Sequence, residues 1–76
     1  MQTHGPNICV VRRGRNFSVV EEGTSVFLVP PVRQRMAICV ARLLARAHRS
    51  ELIVHSHRGR VLFRDSHASG SLTSEG

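Results

Sequence analysis

Apolar residues recur along this chain in two rhythms. From Val32 to Arg49, VRQRMAICVARLLARAHR, the spacing is helical. At about 100° per residue, Val32, Met36, Cys39, Val40, Leu43, Leu44 and Ala47 share one broad arc. Arg35, Arg42, Arg46 and Arg49 share another, because spacings of 7, 4 and 3 residues return to one face. The pattern predicts an amphipathic helix with an apolar floor and a basic rim. Met36, Val40, Leu43 and Leu44 are its expected core residues, set against Val19, Leu52 and Val54. Around the helix, the apolar residues come in short β-branched runs. Ile8 to Arg13, ICVVRR, reads as a strand, Gly14-Arg15-Asn16 as a loop, and Phe17 to Glu22, FSVVEE, as the returning strand of a hairpin. Ser50 to Ser56, SELIVHS, and Arg60 to Asp65, RVLFRD, read as a second pair about the turn His57-Arg58-Gly59.

Between the first hairpin and the helix stand a turn, Glu22-Gly23-Thr24, and the apolar stretch Ser25 to Val29. That stretch reads equally as an extra strand or as a covered connector. Pro30-Pro31 ends it, since neither residue donates a backbone hydrogen bond. No Ser, Thr, Asp or Asn precedes Val32 as an N-cap, and Arg33 and Arg35 oppose the macrodipole. The helix should therefore start weakly. Met1 to Asn7 and His67 to Gly76 are polar and carry no apolar pattern, so they read as a flexible and a disordered tail around one domain, residues 8–66. The expected fold is α+β, ββαββ, with a four-stranded antiparallel sheet, residues 25–29 as a fifth short strand at most, and one helix on one face.

These strands do not alternate cleanly. Ile8 and Val10 oppose Cys9 and Val11, Leu52 and Val54 oppose Ile53, and Val61 and Phe63 oppose Leu62. One helix covers one face. The other would expose aliphatic side chains, and self-association into a dimer is the simplest remedy for so small a chain.

The second half resembles domain-of-unknown-function family 2188, a family of small bacterial proteins. The resemblance rests on SELIVHSHRGRV, Ser50 to Val61, followed by Arg64-Asp65-Ser66, and on Ala37 and Ala41 in the helix. Phe17 stands where that family usually has Trp. Pro-Pro-Val-Arg-Gln replaces its usual Thr-x-x-Glu-Ala helix start, and His67-Ala68 its Tyr-Gly. The resemblance implies the ββαββ order over about residues 8 to 66. It implies no activity, so it transfers no catalytic residues.

Composition adds charge to this picture. The 76 residues carry a net charge of +6, and all 11 basic side chains are Arg. Arg binds phosphate and carboxylate bidentately, so the stripe Arg35, Arg42, Arg46 and Arg49 is a candidate polyanion-binding face, extended by Arg12, Arg13, Arg15, Arg58 and Arg60. No Trp or Tyr is present to supply a stacking platform for single strands. His55 and His57, two apart, with Asp65 and His67, are the only metal-ligand candidates, and their spacing matches no zinc pattern. Asp65-Ser66-His67 holds the residue types of a hydrolase triad, but as chain neighbours that point in different directions. The expectation is a noncatalytic protein without metal or cofactor. Cys9 and Cys39 read as buried free thiols, with a Cys9–Cys39 bridge open only if strand and helix bring their Cβ atoms to roughly 4 Å. No apolar run reaches 18 residues and the start of the chain has no signal-peptide pattern, so the protein is expected in the cytoplasm and not in a membrane. Two functions remain: a self-associating interaction module, and a basic binder of nucleic acid or another polyanion.

Overall fold

The computed structural model describes residues 5–66. The elements follow in the order β1 (Ile8–Arg13), β2 (Asn16–Glu21), α1 (Gln34–His48), β3 (Glu51–His55) and β4 (Val61–Ser66). The fold is α+β, as expected. The expected tail segments 1–4 and 67–76 lie outside the described residues. Within 5–7, the chain is bonded to the domain: Gly5 N–H donates to the His48 carbonyl at 2.8 Å, and the Asn7 side chain joins Glu22 to the Glu51 backbone.

The β1–β2 hairpin turns through Gly14-Arg15, with Arg13 opposite Asn16. Gly14 has φ +66°, which a primed two-residue turn requires and which Gly adopts without strain. Asn16 is therefore a strand residue and not part of the loop.

The sheet runs β2-β1-β3-β4 and is mixed. β1 pairs antiparallel with β2, and β3 with β4, but β1 and β3 are parallel, Ile8 lying opposite Leu52 and Val10 opposite Val54. This corrects the all-antiparallel expectation, and residues 22–33 give the reason. After β2 the chain turns at Gly23 and runs back along the β2 edge, antiparallel to it. It touches at two isolated bridges, Val20 with Phe27 and Phe17 with Val32. Only then does α1 begin, travelling in the direction of β2 and delivering β3 alongside β1. A helix starting directly after β2 would have run the other way. The stretch 25–29 is thus a connector with one bridge and not a fifth strand. It is held by Leu28 N–H to the Val19 carbonyl at 2.7 Å and by the Ser18 hydroxyl to the Val29 carbonyl. Ser18 is fully buried, as a polar side chain is when it has a partner.

α1 starts at Gln34, with no side-chain cap at Arg33 and no acidic residue in its first turn. It ends at Arg49 in the left-handed region, φ 53°, where the Arg49 N–H reaches back to the last carbonyls. Its contact with the sheet is made by Ala37, Ala41 and Ala45, all fully buried. They meet Ile8, Val10, Phe17, Val19, Leu52 and Val54, with Val40, Leu44 and Ile38 half-buried at the flanks. Met36 and Leu43, expected in the core, are 54% and 63% exposed, and Cys39 and Ala47 are exposed too. The apolar arc read from hydropathy was rotated away from the true contact. Hydropathy weights large side chains, whereas close approach of a helix to a sheet selects small ones.

The face of the sheet away from α1 carries a second cluster, Cys9, Val20 and Ile53, with Val11 packed against it. These residues are only 6%, 7% and 2% exposed within a single chain. Glu51 and Arg64 pair across this face at 2.6 Å beside Ile53. The second face is therefore less open than the broken alternation implied.

Candidate functional site

The largest exposed apolar side chains fall in three places: Val26, Phe27 and Leu28 in the connector, Met36 and Leu43 on the outer side of α1, and Val61, Leu62 and Phe63 in β4. The three differ in what their backbone still offers. The connector spends its bridges on β2 and thereby closes that edge. The Phe27 ring is also engaged, with the Arg13 guanidinium 4.1 Å from its centroid. The α1 backbone is satisfied within the helix. β4 is the other edge strand, and no strand or bridge flanks its outer side among the described residues. An edge offers unpaired N–H and C=O groups to another chain. Here the outer side lies beside exposures of 46%, 56% and 38% at Val61, Leu62 and Phe63, and the pairing of the strand with β3 slips by one residue at Leu62. No Pro or Gly interrupts the strand.

α1 packs on β1, β2 and β3 and leaves β4 uncovered. Phe63 and Asp65 lie on the helix side of the sheet, in register with Val54 and Leu52. The Arg42 guanidinium reaches across to the Asp65 carboxylate at 3.3 Å. Both side chains are more than a third exposed, so this pair adds little stability. It does show that the arginine side of α1 overlooks the β4 shelf.

The predicted arginine face is divided among several tasks. Arg35 and Arg46 are exposed on α1, Arg42 is engaged with Asp65, and Arg49 closes the helix. Arg12 donates to the carbonyls of Gly14 at 2.8 Å and His57 at 3.1 Å, tying the two hairpin turns together. The backbone of Arg60 joins the β3–β4 turn through Ser56.

The histidines are not brought together. The His55 ring nitrogen faces the Gly59 carbonyl at 3.2 Å, while the His57 ring meets Phe17 edge-on at 4.8 Å between centroids. Asp65 turns to Arg42, and His67 lies outside the described residues. Among the described residues, no three His, Cys, Asp or Glu side chains are grouped to hold a metal. Cys9 and Cys39 are both free, Cys9 buried on the far face of the sheet and Cys39 exposed on α1. The sheet separates them, which excludes the bridge. Burial pushes the Cys9 thiol above its ordinary pKa, with Glu22 and Glu51 adding to the shift and Arg64 opposing it. That thiol stays protonated and unreactive near neutral pH.

Sequence reasoning had placed β4 correctly but did not mark it as the open edge. Edge position depends on strand order, and strand order depends on the connector. No helix among the described residues is long and apolar enough to cross a membrane. Three comparisons extend the picture no further: the chain matches no protein-family model, no curated protein and no solved structure.

Proposed function

We propose that this chain is a small noncatalytic interaction module that self-associates through its sheet. One observation carries the reading: no described strand flanks the outer side of β4 beside three consecutive exposed apolar side chains, while the opposite edge is closed by the chain itself. Natural sheets usually protect such an edge with charge, proline or a covering segment. Over Val61 to Phe63, β4 carries no charge or proline, and its one irregularity is a slip of register at Leu62, between the pairs His55–Val61 and Val54–Phe63. The resemblance to family 2188 agrees with this reading only in implying no reaction. Analytical ultracentrifugation of the full chain over a wide concentration range tests it. The expected result is a reversible shift from the 8.4 kDa species towards twice that mass, and a single 8.4 kDa species at every concentration would rule the reading out.

The second reading, a polyanion binder, draws on Arg35 and Arg46, which stand exposed on the same side of α1. Binding of this kind weakens steeply with salt, whereas apolar edge pairing does not. If the stripe binds a phosphate backbone, a fluorescence-anisotropy titration with duplex DNA at low salt gives a signal that Arg35→Glu with Arg46→Glu abolishes. A flat titration of the unmodified chain eliminates this reading.

A further inference from the structure

Charge in this fold is sorted along the strand direction. Every acidic side chain among the described residues lies at the end where β1 and β3 begin. Glu21 is opposite Ile8, Glu51 opens β3, Asp65 is opposite Leu52, and Glu22 accepts from the Asn7 side chain. The other end gathers three segments distant in the chain: the β1–β2 turn, the β3–β4 turn and the start of α1. Contacts join them. Arg12 donates to the His57 carbonyl, the Gln34 side chain reaches the His55 carbonyl at 3.4 Å, and Phe17 and Val32 exchange two backbone hydrogen bonds. On these segments stand Arg12, Arg15, Arg33, Arg35, Arg58 and Arg60, all exposed. The side chains of the last five make no hydrogen bond or ion pair among the described residues, where Asp65 pairs with Arg42 and Glu51 with Arg64. The first turn of α1 holds no acidic residue, so its macrodipole adds the same sign. The six residues of β1 separate the two ends by roughly 17 Å, about twice the Debye length at physiological salt. The acids therefore leave the charge of the arginine end unneutralised.

We propose that this end docks on the phosphodiester backbone of double-stranded nucleic acid without reading its sequence; this takes up the polyanion reading above and moves the contact from the helix stripe to the end of the fold. Guanidinium groups match phosphate oxygens in pairs. In the order β2-β1-β3-β4 the two hairpin turns sit two strand spacings apart, about 10 Å. That separation suits the phosphate rows bordering a groove about 12 Å wide. Single strands are held by stacking on open aromatic rings, whereas here Phe17 is buried and the His57 ring is set against it. Seating in a lipid interface needs apolar side chains to bury, and the turn tips Gly14-Arg15 and His57-Arg58-Gly59 carry none.

Fluorescence anisotropy of the full chain with labelled duplex DNA of arbitrary sequence, repeated over a range of salt concentrations, tests the surface. About five phosphate contacts give log K against log salt a slope of about −4.5. Arg15→Gln with Arg58→Gln, one cation from each turn, should flatten that slope by about 1.8. The melting midpoint should stay in place, because both side chains are exposed and unbonded. Arg46→Gln, exposed near the other end of α1, should leave the slope unchanged. A slope that falls with Arg46→Gln and not with the turn pair overturns this surface and leaves the polyanion reading standing. Anionic vesicles or polyglutamate that displace the duplex at equal charge concentration overturn the assignment to nucleic acid. A flat titration of the unmodified chain at low salt overturns both the surface and the polyanion reading.

Discussion

Leu52→Ala should destabilise the domain by about 2–5 kcal/mol, the largest loss expected from any single truncation. Leu52 is fully buried in β3, opposite Ile8 on the helix side of the sheet. Truncation removes its transfer free energy and leaves a cavity in the middle of the sheet, flanked by β1 and β4, where neighbours collapse poorly. Leu43→Ala, the same chemical change on α1, should shift stability by less than about 0.5 kcal/mol, since Leu43 is 63% exposed. A thermal melt separates the two. For a domain of this size 1 kcal/mol moves the midpoint by roughly 4–8 °C. Leu52→Ala should lower it by well over 8 °C, on the same scale. So small a domain has little stability in reserve, and complete unfolding of Leu52→Ala meets the same expectation. Equal shifts for the two variants would mean that α1 packs by the face carrying Leu43.

Ala41→Leu should be the most damaging enlargement. Ala41 is the middle of the three alanines that touch the sheet, and it is fully buried between Ala37 and Ala45. A Leu there must lift the helix or force side chains off their rotamers, at about 1–3 kcal/mol or more. The sign is informative. Leu is nearly as good a helix former as Ala, so the loss measures helix–sheet distance and not helix propensity. Met36→Leu, on the exposed side, is the control and should leave the melting midpoint unchanged. An Ala41→Leu protein as stable as the original would show that the helix stands farther from the sheet than the alanine contact implies.

Most of the element plan was legible in the sequence because it depends on local pattern. The β-branched run at Ile8–Arg13 became β1 without change, and the other strands shifted by only a residue or two at their ends. The helix was legible as a helix, but not its orientation. Ala37, Ala41 and Ala45 carry weak hydropathy, and their role follows from the distance of α1 to the sheet. The parallel pairing of β1 with β3 was not legible either. It depends on the connector running back along β2, and neither Val29 nor Phe27 signals that direction by its residue type. The far face of the sheet was misjudged for a related reason. Alternation identifies Cys9, Val20 and Ile53 as apolar on that side, but it does not report the pairing of Glu51 with Arg64 beside Ile53. Of the candidate site, the arginines were legible as a stripe. Their partners, Asp65 for Arg42 and the two turn carbonyls for Arg12, come from contacts distant in the chain.

The connector that lies along β2 also decides what kind of assembly is open to this fold. A sheet with two free edges can add copies at both ends, and head-to-tail addition then has no natural limit and grows into a fibre. Here Phe27 and Val32 occupy one edge from within the same chain. A copy that joined at β4 would meet a closed boundary on the far side, so the proposed association would halt after one step. The twelve residues 22–33, which look like a mere surface loop, thus act as a terminator. Shortening them should reverse the direction of β3 and free the β2 edge as a second place where a copy could add.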